Sequence, residues 1–285
     1  IMAQTEDFYF QYKKCNFVSS IYTREHLEQL ELFEIRDSDV FVVTYPKSGT
    51  VWMQQIVSLI NSDGDPTEVQ NTQAHKRVPW IEVPPSNFQL RPSPRLNVTH
   101  LPYHLVPKEL KEKKGKVIYV ARNPKDVIVS SYHFHNHLAF YESSKDFSDF
   151  LEKFIDGALE FSSWFDHVRE WYNHRDEFNF MYITYEEMKK DLRASILKIC
   201  SFLGKHLDNE KLNTVLELCT FNTMKVNPMA NYEKVPKKSN DGAFLRKGTI
   251  GDWKTHFTVA QSEMFDRIFQ EKMKDFPLSF VWDQE

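Results

Sequence analysis

At 285 residues the chain is long enough to bury a large core and lies at the upper limit of one domain. Hydrophobic residues at 41% and charged residues at 27% give the balance of a soluble globular protein, and no apolar stretch approaches membrane-spanning length. A formal net charge of −4 lacks the basic excess of a dedicated nucleic-acid binder. Three widely spaced cysteines, Cys15, Cys200 and Cys219, make neither a disulfide framework nor a zinc pattern, which points to a reducing cytoplasm.

The chain opens on polar and aromatic residues that do not read as a signal peptide, and Ile1 ahead of Met2 reads as a cloning remnant. The first strand is expected at Val40–Thr44, followed by a helix over Val51–Ile60. Strands at Leu96–Thr99, Lys116–Ala121 and Asn179–Thr184 are short, apolar or β-branched, as buried parallel strands are. Helical patterns run over Lys125–His137, Phe147–Trp171 with a possible break near Gly157, Tyr185–Leu203, Asn209–Cys219 and Thr258–Lys274. The polar segment Asn231–Gly251 reads as a long, mobile loop of the kind that forms lids. Strands alternating with helices predict an α/β fold: one domain over residues 1–285, with a central, mostly parallel sheet flanked by helices.

Chemistry gathers at the predicted strand ends, where such sheets bind ligands. After the first strand comes Tyr45-Pro-Lys-Ser-Gly-Thr-Val-Trp52. A strand, a short glycine turn and a helix start present free N–H groups and the positive end of a helix dipole, and Lys47, Ser48 and Thr50 add a cation and two hydroxyls. This is a P-loop-like anion turn, yet not the ATP-binding G-x-x-x-x-G-K-[ST], because lysine precedes glycine and the loop is shorter. Alone, it also fits a plain strand–helix turn. Arg122 ends the third strand where a kinase often carries an Mg²⁺ carboxylate, and an arginine holds an anion bidentately without metal. Ser130 lies two turns into the following helix. Arg246-Lys-Gly-Thr-Ile-Gly-Asp-Trp253 pairs two cations with two glycines, the makings of an anion-wrapping loop or of a solvated basic one. His100 closes the second strand, placed as a general base. His133, His135 and His137 do not share one face of a helix, so no metal is expected.

Taken together, these segments resemble the cytosolic sulfotransferases, and the resemblance runs over nearly the whole chain. It implies an enzyme using 3′-phosphoadenosine 5′-phosphosulfate (PAPS) and no metal. By that likeness Lys47, Ser48, Gly49, Thr50, Val51 and Trp52 hold the 5′-phosphosulfate. Arg122, Ser130, Arg246, Lys247 and Gly248 grip the 3′-phosphate. Trp52 and Phe221 sandwich the adenine, with Tyr185, Cys219 and Met224 beside it. His100 is the catalytic base, Lys47 stabilises the bridging oxygen, and Ser130 holds Lys47 aside until the acceptor binds. Val51 replaces a frequent second threonine and Cys219 stands where Ser or Thr is usual.

The expected acceptor is a small hydrophobic steroid, alcohol, phenol or amine, with Phe17, Trp80, His100, Phe134 and Tyr232 around it. Ser163-Trp-Phe-Asp-His167 and Lys198–Gly204 look like the steroid, alcohol and amine branches, and Pro277–Trp282 leans to the amine branch. Lys254-x-x-x-Thr258-Val259-x-x-x-Glu263 resembles the family's dimerisation segment and implies a homodimer. No nucleic acid or membrane partner is expected. The alternatives at this stage are a P-loop-type nucleotide kinase and a non-catalytic nucleotide-binding module.

Overall fold

The structure is a computed structural model and describes residues 8–84, 87–239 and 242–284; Ile1 lies outside them. It begins with an antiparallel hairpin, β1 (Tyr9–Tyr12) and β2 (Cys15–Val18), and the helix α1 (Arg24–Leu30). The anion turn links β3 (Val40–Thr44) to α2 (Thr50–Asn61). Short helices α3 (Thr67–Asn71) and α4 (Ala74–Arg77) lead to β4 (Leu96–Thr99). Next come β5 (Lys116–Ala121), α5 (Pro124–His137), α6 (Phe147–Ile155) and α7 (Trp164–Asn173). The last strand, β6 (Phe180–Thr184), precedes α8 (Tyr185–Lys190), α9 (Leu192–Leu203), α10 (Asn209–Leu218), α11 (Phe221–Val226) and α12 (Val259–Lys272).

The central sheet is parallel, in the order β4-β3-β5-β6. Because side chains alternate along a strand, each strand feeds two cores. Val40, Val42, Val98, Ile118 and Val120 pack with α2, α9 and α10. Phe41, Val43, Val117 and Tyr119 pack on the other face with α5, α6 and α7. Burial on both faces explains why these strands read as continuous apolar runs. At the amino end of the sheet Arg95 and Asp39 form a fully buried ion pair, with Arg95 Nε donating to Asp39 Oδ1 at 2.7 Å. Removing one partner of such a pair costs about 3–5 kcal/mol.

Two predicted helices divide. The Phe147–Trp171 helix breaks at Gly157 as expected, the interruption running from Asp156 to Ser163, where Gly157, Phe161 and Ser162 take positive φ and Ser163 caps α7 by accepting from Asp166 N. The expected Tyr185–Leu203 helix stops at Lys190, because Asp191 turns extended and caps α9 through Ala194 N. The Asn231–Gly251 loop has firm partners outside Asn240 and Asp241, which lie beyond the described residues. Lys238 N donates to His137 O at 2.8 Å, and the rings of Tyr232 and Phe244 stack at 5.0 Å.

Candidate active site

The carboxyl ends of all four parallel strands open on one cavity of about 960 Å³. β3 supplies Lys47, β4 supplies His100, β5 supplies Arg122 and β6 supplies Tyr185, all of them lining it. The register accounts for the grouping: Val43 pairs with Thr99 and Ala121 with Thr184, so the residues just beyond them emerge side by side.

The turn after β3 needs left-handed backbone at Lys47 (φ 69°) and at Gly49 (φ 105°), a cost that glycine lowers at the second position. Gly49 caps α2 without a side-chain acceptor, leaving the first-turn N–H groups free toward the cavity. Lys47 Nζ lies over the Phe134 ring at 3.9 Å and the Phe244 ring at 4.8 Å. None of the hydrogen bonds among the described residues joins it to Ser130; ring faces, not the expected hydroxyl, hold the desolvated ammonium. Burial, then the Arg122 and Arg246 charges, lower its pKa to about 7 against the opposing pull of Glu160.

Arg122 ties the site together. Its NH1 donates to Lys47 O at 3.0 Å and its NH2 to Thr249 O at 3.1 Å, while its guanidinium lies 4.2 Å from the Tyr185 ring centre. The Lys47 turn and the Arg246 loop are therefore neighbours, as one nucleotide bridging both requires. Arg246 and Lys247 both pair with Asp252. At Gly248 a Cβ would fall 2.3 Å from the Phe221 ring, so only glycine allows that ring against the loop. Asp126 of α5 anchors the same loop, accepting from Gly251 N at 2.8 Å and Trp253 N at 3.1 Å.

His100 is oriented by β3. Thr44 O is an acceptor only, so the 2.8 Å contact with His100 Nδ1 places the proton on Nδ1 and leaves Nε2 as the basic nitrogen. Glu82 Oε1 accepts from His100 N at 2.7 Å, and His167 Nε2 donates to His100 O at 3.0 Å. Burial, reinforced by the Lys47 charge and opposed by the Thr44 contact, holds His100 down to about 4. It is neutral at pH 7.

Of the expected residues, Gly49, Thr50, Val51, Trp52, Ser130, Phe221, Met224, Arg246, Lys247 and Gly248 line the cavity, as do Trp80, Phe134 and Tyr232. Ser48 is fully buried beneath the turn, its Oγ without a hydrogen-bond partner among the described residues, and Arg122 Nε is equally unpartnered among them. Spare buried donors beside a cationic turn suit a multiply charged anion. Cys219 does not reach the cavity; its carbonyl accepts from Trp52 Nε1 at 2.8 Å and steadies that ring. Phe17 does not line it either. Alternation along β2 turns Phe17 into the core, edge-on to Tyr22 and Phe161. His133, His135 and His137 go separate ways, His133 Nε2 meeting His256 Nε2 at 2.8 Å. Sequence reasoning missed Thr44, Glu82 and Glu160. Thr44 was reachable from strand pairing alone. The two glutamates carry no local pattern that separates them from surface charge.

Comparison with known proteins agrees with this arrangement. A sulfotransferase domain is matched over residues 37–277. The chain is 51% identical to the amine sulfotransferase of Oryctolagus cuniculus, covering 99% of this chain and 96% of that one. It is 45% identical to the 3-beta-hydroxysteroid sulfotransferase of Cavia porcellus over 90% and 91% of the two chains. A mouse sulfotransferase crystallised with PAP superposes with a TM-score of 0.81 at 33% identity, covering 95% of each chain. Retinol dehydratase in complex with androsterone and inactive cofactor PAP gives a TM-score of 0.82 at 27% identity, over 95% of this chain and 90% of that one. Strand ends, anion turn and kinship converge, and the chain belongs to the sulfotransferase family.

Proposed function

We propose that this protein transfers the sulfuryl group of PAPS to a hydroxyl or amine of a small hydrophobic acceptor, with His100 as general base. The observation that carries the reading is the His100–Thr44 contact, which leaves a basic Nε2 in the same chamber as the Lys47–Arg122 cradle. PAPS supplies an electrophilic sulfur joined through oxygen to a phosphate leaving group. His100 Nε2 takes the acceptor's proton as the acceptor oxygen or nitrogen bonds to sulfur and the sulfur–phosphate oxygen bond breaks. Lys47 and the first-turn N–H groups of α2 receive the charge that develops on the departing oxygen. Arg122, Ser130, Arg246, Lys247 and Gly248 hold the 3′-phosphate, and Trp52, Phe221, Tyr185 and Met224 bound the adenine. Trp80, Phe134 and Tyr232 form the apolar acceptor wall.

The amine and hydroxysteroid relatives support steroid and amine acceptors. Cytoplasmic action is favoured by the kinship and by three buried, unbridged cysteines. Among the described residues no helix is long and apolar enough to cross a membrane. Replacing His100 with Ala is expected to leave 3′,5′-adenosine bisphosphate binding intact in calorimetry and to lower turnover roughly 10²–10⁴-fold. Undiminished turnover removes His100 from the mechanism. Tight binding of ATP·Mg²⁺ in place of the bisphosphate would restore the kinase reading.

A further inference from the structure

Sulfuryl transfer gives no task to Glu160. It stands between α6 and α7 in the cavity wall, 4% exposed. Tyr141 lies close enough to steady its charged form, its Oε1 lies 3.9 Å from His135 Nε2, and its Oε2 has no partner among the described residues. The groups facing it come from several elements. Lys47 acts on it through space from the turn after β3, but the ammonium itself rests on the Phe134 and Phe244 rings. His135 of α5, held near 3 by burial, is neutral and does not balance the carboxylate. Tyr9, Tyr22 and Tyr45 feel its charge, which together with burial raises their own pKa values. The next residue, Phe161, meets the His100 ring at 5.3 Å. A carboxyl with a spare oxygen therefore lies one residue from the group that abuts the base.

We propose that Glu160 selects acceptors bearing a protonated amino group in addition to the nucleophile, pairing with the ammonium while a hydroxyl or neutral amine of the same molecule faces His100. The inference rests on the sulfuryl-transfer reading above. An ammonium has no lone pair, so the nitrogen held by Glu160 is not the one that attacks sulfur; the substrates are amino alcohols, aminophenols or diamines. Burial lifts the Glu160 pKa to about 7, opposed by the Tyr141 contact and the Lys47 charge, so a bound cation completes an ionisation that the apolar chamber resists.

The test uses tyramine and 4-ethylphenol, which present the same phenolic hydroxyl with and without an ammonium. kcat/KM is measured for both from pH 6 to 9, on the wild type and on Glu160→Gln, which keeps the shape and an acceptor for Tyr141. Bisphosphate calorimetry is run alongside. The substitution is expected to lower kcat/KM for tyramine about 30-fold or more, with 4-ethylphenol changed by less than about threefold. The wild-type preference for tyramine is expected to climb as pH rises through about 7, and the variant to lose that limb. Titration of Lys47 acts on both acceptors, so their ratio isolates Glu160. Equal losses for both, no loss for either, or a pH-independent ratio overturns the proposal. If the variant does not fold, the wild-type ratio decides alone. Failure of the wild type to bind bisphosphate overturns the sulfotransferase reading as well; binding without amine preference overturns Glu160 only.

Discussion

Lys47 carries an unusual burden for a single side chain. It is buried, has no carboxylate within ion-pair distance among the described residues, and shares its corner with Arg122 and Arg246, which together with desolvation bring its pKa to about 7. A dianionic ligand reverses the sign of that environment and restores the charged form. The direction of proton flow follows. Above pH 7 the free lysine is mostly neutral, so binding 3′,5′-adenosine bisphosphate at pH 8 is expected to take up close to one proton. Calorimetry in buffers of different ionisation enthalpy measures this directly, and a binding enthalpy independent of buffer would contradict it. His100 behaves oppositely in purpose. Its depressed pKa of about 4 keeps the imidazole unprotonated over the working range, so no acidic limb from this group is expected above about pH 5.

At the scale of elements, α5 does two things at once. Asn123 caps it by accepting from Asp126 N, and Asp126 in turn receives the Gly251 and Trp253 amides. Asp126→Ala leaves both amides without their acceptor, a local cost of about 2–4 kcal/mol. Hydrogen exchange over Arg246–Trp253 should rise and bisphosphate affinity should fall about tenfold or more by the same argument, with β3 and β5 exchange unchanged. Protection of that loop equal to wild type would sink this account. The elements themselves were largely visible in the sequence. β3, β4 and β5 fall where apolar β-branched runs predict them, because strands buried on both faces leave no polar interruptions. The break in the first long helix was marked by Gly157, which takes a positive φ inside it, whereas the break at Asp191 was not visible, because that residue acts through capping geometry, which competes with helix periodicity only once tertiary contacts are made. The hairpin β1–β2 was missed for a similar reason. Two four-residue strands are too short to show a period, and Asn16 is held by the Gly157 and Leu159 carbonyls, more than 140 positions away. In the site, the residues at strand ends were legible from order alone, whereas Glu160 depends on a loop folding back across the cavity.

For the whole molecule, one surface feature bears on assembly. Val259 is 76% exposed at the start of α12, directly after Thr258, which caps that helix, and Lys254 precedes it in a short helical turn. Lys254 pairs with Asp283 of the same chain, so the exposed apolar side chain of Val259 is what suits two-fold pairing. The wild type is expected to scatter light as a dimer at micromolar concentration, and Val259→Glu as a monomer with unchanged bisphosphate binding; a wild-type monomer would refute the pairing.

Arg122 commits two of its guanidinium nitrogens to main-chain carbonyls of two distant loops, so one side chain fastens the two walls of the receptacle to each other. A guest that reaches only one wall forfeits the contacts of the other. On the proposed reading, a bisphosphorylated adenosine is therefore expected to outbind a monophosphorylated one.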